Sequence, residues 1–155
     1  MVIAVVEFQG TLFRWNLSSN VGPAQRNALD DVELVRFGYI CLKQNLRFPA
    51  DPSLRPSLNK LRPFGPFDED LAEVISAHQK ARGGTQDGIV SVARITGVGA
   101  SKNELYDRRN TWIIISLNNN MLDITDDIYP RIDKHPQSGP TLSLKVKQIL
   151  TQSQL

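Results

Sequence analysis

The stretch Phe64–Val90, FGPFDEDLAEVISAHQKARGGTQDGIV, decides how the rest of the chain is read. Pro66 suits the first turn of a helix, where a missing N–H removes no intrahelical bond. Asp68, Glu69 and Asp70 follow, and place negative charge at the positive end of the helix dipole. Leu71, Val74, Ile75 and His78 recur at i, i+3, i+4 and i+7, which paints one mostly apolar stripe on that helix. Gly83 and Gly84 can take the left-handed conformation that stops it. Asp87-Gly88 then makes a turn, because glycine tolerates positive φ. The stretch predicts a core-facing helix, a stop and a tight turn.

Upstream, VIAVVEF and TLFRW are rich in β-branched and aromatic residues with Gly10 between them, and predict a hairpin over Val2 to Trp15. Residues 16–27 are polar and carry Gly22-Pro23, a loop. Asp30 with Glu33 three positions on forms a capping pair, so a helix is expected from there to about Gln44. Its apolar residues cover a wide surface, which makes it central. Residues 45–66 hold Pro49, Pro52, Pro56, Pro63 and Pro66 and read as an irregular connection.

Downstream, Ile89–Ile95 is a strand candidate, and Ser101 with Glu104 forms a capping box before a short helix through Arg108. Thr111–Leu117 (TWIIISL) fits a strand by its isoleucines and a buried helix by its place before an asparagine run. A turn at Tyr129-Pro130, a polar loop and an amphipathic helix near Leu142 to Leu150 close the chain.

Composition narrows function. The 155 residues are one domain's worth, 41% hydrophobic and 22% charged, as in an ordinary globular protein. A net charge of +2 gives no argument for nucleic acid. Basic residues gather between Lys43 and Arg62, a mildly positive loop surface. Cys41 sits in an apolar run and reads as a buried, inert thiol. No stretch approaches the roughly 20 apolar residues of a membrane span. MVIAVVEF lacks a basic n-region and a small-residue cleavage site. The chain is therefore expected in the cytoplasm as synthesised, and if it is exported the expected route is a leaderless one.

The surveyed motifs give no catalyst. His78 and His135 are the two histidines, and with a single cysteine they lack the spacing of a zinc site. His78 reads as a core histidine and His135 as a surface one. The segment TGVGASKNE misses the phosphate-loop and dinucleotide spacings. Asp123, Thr125 and Asp127 alternate as in a calcium loop, but Ile128 and Lys134 stand where glycine and an acid are needed. Asp30/Asp31 and Asp126/Asp127 are adjacent and point apart on a helix, so neither pair converges on a substrate. No GxSxG elbow surrounds a serine. Trp112 reads as core, while Trp15 is left open between core and surface. The expectation is a protein that is not an enzyme and takes no metal or cofactor.

The order FG-P-x-x-x-x-L-x-x-V-I-x-x-H-Q, a basic and glycine stop, then DGIV resembles the bacterial peptidoglycan-binding-like domains, small three-helix modules found beside cell-wall hydrolases. DDVELVRFGYICL resembles their first helix, Leu71 through Gln79 their second, and Thr111-Trp112 the start of their third. Three departures are visible: His78 replaces a phenylalanine, Arg36 replaces a glutamine, and 91–110 is longer than the family's link. The resemblance covers about residues 20–120. It implies a mainly α (α+β) fold in a single domain 1–155: a hairpin extension at 1–19, a three-helix core at 20–120 and an extension with a C-terminal helix at 121–155. It implies non-catalytic binding of peptidoglycan, with Lys60, Arg62, Gln79, Asp87 and Gly88 as the ligand-binding residues. The alternative is a stand-alone adaptor or structural part of a phage or secretion apparatus that holds a partner protein. In that case the hairpin's strand edge is where a partner or a second copy would join.

Overall fold

The computed structural model describes residues 2–7, 11–93 and 112–152, with 2–7 and 11–13 described as backbone. The described chain is mainly helical. Strands β1 (Val2–Glu7) and β2 (Thr11–Asn16) form an antiparallel hairpin in which Ile3 faces Trp15 and Glu7 faces Thr11. Helix α1 (Leu29–Gln44) follows, then a short 3-10 turn at Pro52–Leu54 leading into α2 (Arg55–Lys60). Next come α3 (Glu69–Arg82), α4 (Ile113–Ile124), a second 3-10 turn at Ile132–Lys134, and α5 (Pro140–Gln152). No described helix is long and apolar enough to cross a membrane.

Helix α1 is the centre. Every residue from Asp31 to Leu42 is buried, the pattern of a helix enclosed on all sides. It packs on α2, α4 and α5, and β2 packs on α4. Gly38 allows the α1–α4 approach: a Cβ there would stand 2.7 Å from the Leu117 Cβ and 2.9 Å from the Met121 Cε.

The start of α1 corrects the expected capping pair. Ala28 holds the cap position and supplies no side-chain bond. Glu33 instead reaches across to accept from the Leu142 backbone N–H at 2.7 Å, satisfying a donor in the first turn of α5. Gly139 leaves room for it, since a Cβ there would displace the Glu33 carboxylate. Asp31 turns the other way and accepts from Ser18 and Ser19, through backbone N–H and hydroxyl of each. Burial alone would raise the Asp31 carboxyl, but the bonds it accepts, those from Ser18 among them, hold it below the ordinary carboxylate range.

Helix α3 starts later than Pro66. Asp68 is its cap, in extended backbone conformation, with its side chain accepting from the Leu71 N–H. A capping aspartate satisfies an orphan donor, which a proline cannot do. Gly83 stops the helix at φ +70°, in the left-handed region, as expected.

The strand expected at Ile89–Ile95 does not form in its described part. Val90 makes one two-way bridge with Val21, at 2.8 and 3.0 Å. Beyond it, side chains take the place of a neighbouring strand. Asn20 accepts from the Val92 N–H, and Asn16 both accepts from the Ala93 N–H and donates to the Ala93 carbonyl. The Ser101/Glu104 capping box and the TGVGASKNE segment lie outside the described residues.

Of the two readings of Thr111–Leu117, the helix is observed from Ile113 on. Ile114, Leu117, Asn118 and Met121 share its buried side against α1 and β2, and that burial overrides the strand preference of isoleucine. The two tryptophans resolve differently from each other. Trp15 is 1% exposed and donates from Nε1 to the Pro130 carbonyl at 3.2 Å. Trp112, expected in the core, is 40% exposed, because it sits at the cap before α4, ahead of the buried face.

Candidate functional site

The five residues implied by the resemblance fall into two groups. Gln79, in the last turn of α3, clamps the turn that follows. Its Nε2 donates to Asp87 Oδ1 at 2.7 Å and to the Ile89 carbonyl at 3.1 Å, while its Oε1 accepts from the Gly88 N–H at 2.8 Å. Asp87 Oδ1 also accepts from the Ile89 N–H. Gly88, at φ +71°, is buried against Pro23 and Ser76. Residues 83–87 are exposed. One glutamine thus holds an exposed polar turn in a single shape.

Lys60 and Arg62 lie toward the other end of α3. Lys60 pairs with Glu73 at 2.9 Å and Arg62 with the capping Asp68 at 2.8 Å. Both cations are raised, first by the hydrogen bond to the partner carboxylate. Exposed pairs of this kind add little to stability. Asp68 and Gln79 are eleven residues apart, so at the helical rise Arg62's anchor stands about 16 Å from the clamped turn. The structure does not bring the five residues to one place.

His78 is a core histidine. It is 9% exposed, and its Nδ1 shares a 3.1 Å hydrogen bond with the Tyr39 hydroxyl. Desolvation, and then the Arg82 charge, push its pKa down to about 4. A histidine held neutral in the fold but ionising near 6.5 when unfolded costs stability on acidification, because between those values the unfolded chain binds the extra proton. Its contribution is therefore present above about pH 6.5 and is lost toward pH 4, by on the order of 3 kcal/mol. His78→Phe should lose stability at neutral pH, where Tyr39 loses its partner, yet fall less steeply than the parent on acidification. Urea midpoints of both proteins at about pH 7 and about pH 4 measure this. Equal losses in the two would contradict it.

Cys41 is buried and its thiol is pushed up to about 12 by desolvation, where it is no nucleophile. His135, expected at the surface, is half-buried with its ring 5.1 Å from that of Phe37. Among the described residues no three His, Cys, Asp or Glu side chains are grouped to hold a metal ion. In the calcium-like segment Asp123 accepts from Asn45 at 3.0 Å, Thr125 donates to the Met121 carbonyl at 2.7 Å, and Asp133 pairs with Arg131 at 2.8 Å.

A pocket of about 460 Å³ lies beside the last turn of α3, and sequence reading did not find it. It is walled by Arg14 of β2, Leu42 of α1, the segment from Arg47 to Leu54, the end of α3 from His78 to Arg82, and α4 from Ser116 to Asp123. Arg14 is 2% exposed and donates from Nη2 to Asn119 Oδ1 at 3.3 Å. No spacing rule joins positions 14, 47, 82 and 119. A charged residue inside a hairpin strand was the one available signal.

No protein-family model, no curated protein and no solved structure matches the chain.

Proposed function

We propose that the chain is a non-catalytic binding domain with a three-helix peptidoglycan-binding-like core formed by α1, α3 and α4, and that its target is bacterial cell-wall peptidoglycan. The observation that carries this reading is the clamped turn. Gln79, Asp87 and Gly88, on which the resemblance rests, are joined by hydrogen bonds into one unit that presents the exposed residues 83–87. A turn held in one shape meets a glycan or peptide without a further ordering cost. Lys60 and Arg62 flank the far end of α3 and serve an extended polymer better than a small ligand.

The test is pelleting of the full chain with purified sacculi, parent against Asp87→Ala. This substitution removes the acceptor of two hydrogen bonds in the turn. It is expected to reduce the pelleted fraction severalfold while circular dichroism stays that of a folded helical protein. Unchanged pelleting would remove the turn from the reading.

A second reading, the adaptor, is favoured by the hairpin. Among the described residues β1 pairs with β2 alone, so its other edge carries backbone groups that a partner strand can take up. A chain that fails to pellet but co-purifies with another protein, or self-associates, would select it.

A further inference from the structure

We infer that the loop entering α3 is a sugar-stacking platform, in which Phe64 seats the apolar face of a pyranose ring and Arg62 donates to the ring's polar edge. The inference rests on the cell-wall reading and deepens it, by assigning the glycan strand, not the stem peptide, to this end of α3.

Residues 62–67 (RPFGPF) turn their polar backbone inward. The carbonyls of Arg62, Gly65 and Pro66 all accept from the buried Arg36 guanidinium. Pro63 and Pro66 carry no N–H and fix φ, which stiffens the loop and leaves it few donors. Gly65 turns the chain at φ +115°, with open space where a Cβ would stand. The outer face is therefore apolar: Phe64 is 48% exposed, and Pro66 is exposed two residues on. A single exposed phenylalanine is ordinary on a protein surface. One fastened through its loop to a buried arginine is set before any ligand arrives, so stacking on it costs little ordering.

Charge argues against an anionic ligand. Segment 60–73 together with Arg36 holds three cations, Lys60, Arg62 and Arg36, against four acids, Asp68, Glu69, Asp70 and Glu73. Arg36 and Arg62 share Asp68, Lys60 pairs with Glu73, and Asp70 acts on both exposed cations. The paired groups offer hydrogen bonding without surplus positive charge. The Arg62 side chain is 65% exposed and, among the described residues, bonds to Asp68 alone. That leaves guanidinium N–H groups for hydroxyl and acetamido oxygens. A pyranose complements the arrangement, since its C–H face carries the partial positive charge that the negative face of an aromatic ring attracts.

The experiment is a titration of the ¹⁵N-labelled full chain with a β-1,4-linked N-acetylglucosamine tetramer and, separately, with a free stem tetrapeptide, followed by amide shifts. The tetramer is expected to give saturable shifts at Arg62, Phe64, Gly65 and Phe67, and the tetrapeptide none there. Losing the aromatic face in F64A should weaken the tetramer about fivefold. F64W should bind at least as tightly as the parent, while F64L, apolar but without a π face, should match F64A. No saturable shift at 62–67 with the tetramer would overturn the proposal. F64L binding like the parent, or a stronger response of the loop to the tetrapeptide, would overturn it too. Pelleting of the parent with sacculi separates this site from the wider reading. A parent that pellets without loop shifts loses the platform and keeps the cell-wall reading. A parent whose loop responds to the tetramer but which never pellets keeps a sugar platform and loses the cell wall as its target.

Discussion

Asn118→Leu is expected to cost about 2–6 kcal/mol, from about 1–3 kcal/mol for each of the buried backbone groups it would orphan. The Asn118 amide is fully buried and makes four hydrogen bonds. Its Oδ1 accepts from the Trp15 N–H at 2.7 Å and from the Tyr129 hydroxyl at 3.0 Å. Its Nδ2 donates to the carbonyls of Trp15 and Ile114, both at 2.7 Å. One side chain therefore does for β2 what a third strand would do, and ties the hairpin to α4. Leucine keeps the branched shape, is somewhat larger, and removes every bond. Asn118→Asp is a useful companion, since a carboxylate still accepts from Trp15 but cannot donate back. Urea unfolding should rank parent, then aspartate, then leucine. A leucine variant within about 0.5 kcal/mol of the parent, the range of an ordinary surface change, would show that the hairpin does not depend on this amide.

Arg36→Met is expected to cost about 3 kcal/mol or more, since it removes several hydrogen bonds from a charged group, each contributing roughly 1.5–3 kcal/mol. Its side chain is fully buried, and its guanidinium donates to the carbonyls of Arg62, Gly65 and Pro66. It also pairs with Asp68 at 2.8 Å. The loop that delivers the chain to α3 is thus wrapped around one side chain of α1. Methionine fills the space and removes the donor from three part-buried loop carbonyls. Lysine should rescue poorly, because a point charge cannot fork toward several acceptors. Glutamine, the residue of the resembled family at this position, can donate two bonds at most and should recover only part. Full stability of Arg36→Gln would show that the loop holds itself.

The helices were legible because their signals are local. The apolar stripe of α3, its glycine stop and the wide apolar surface of α1 all follow from residues within a few turns. The errors arise where a distant side chain takes over a local task. Glu33 reads as half of a capping pair, but its partner is the first turn of α5. The 89–93 segment reads as a strand, but Asn16 and Asn20 satisfy its backbone in place of a ladder. Trp15 and Trp112 differ in burial because a single residue's aromatic character does not say which side of an element faces the core. The substitution of Arg36 for a glutamine reads only as a departure until the loop carbonyls around it are seen. The resemblance named Gln79, Asp87 and Gly88 together, and the fold does join them. It also named Lys60 and Arg62, which the length of α3 keeps apart from that turn. The pocket was illegible because its arginines are scattered over the chain and become neighbours only on folding.

The central claim is recognition of the cell wall by a preformed surface, and the salt dependence of sacculus pelleting tests it most directly. Attraction of the exposed basic residues to an acidic polymer weakens as the Debye length shrinks, from about 10 Å at 0.1 M to about 3 Å at 1 M salt. Recognition by the clamped turn predicts that the full chain still pellets at high salt. Pelleting that disappears at high salt, or that never occurs, would contradict it.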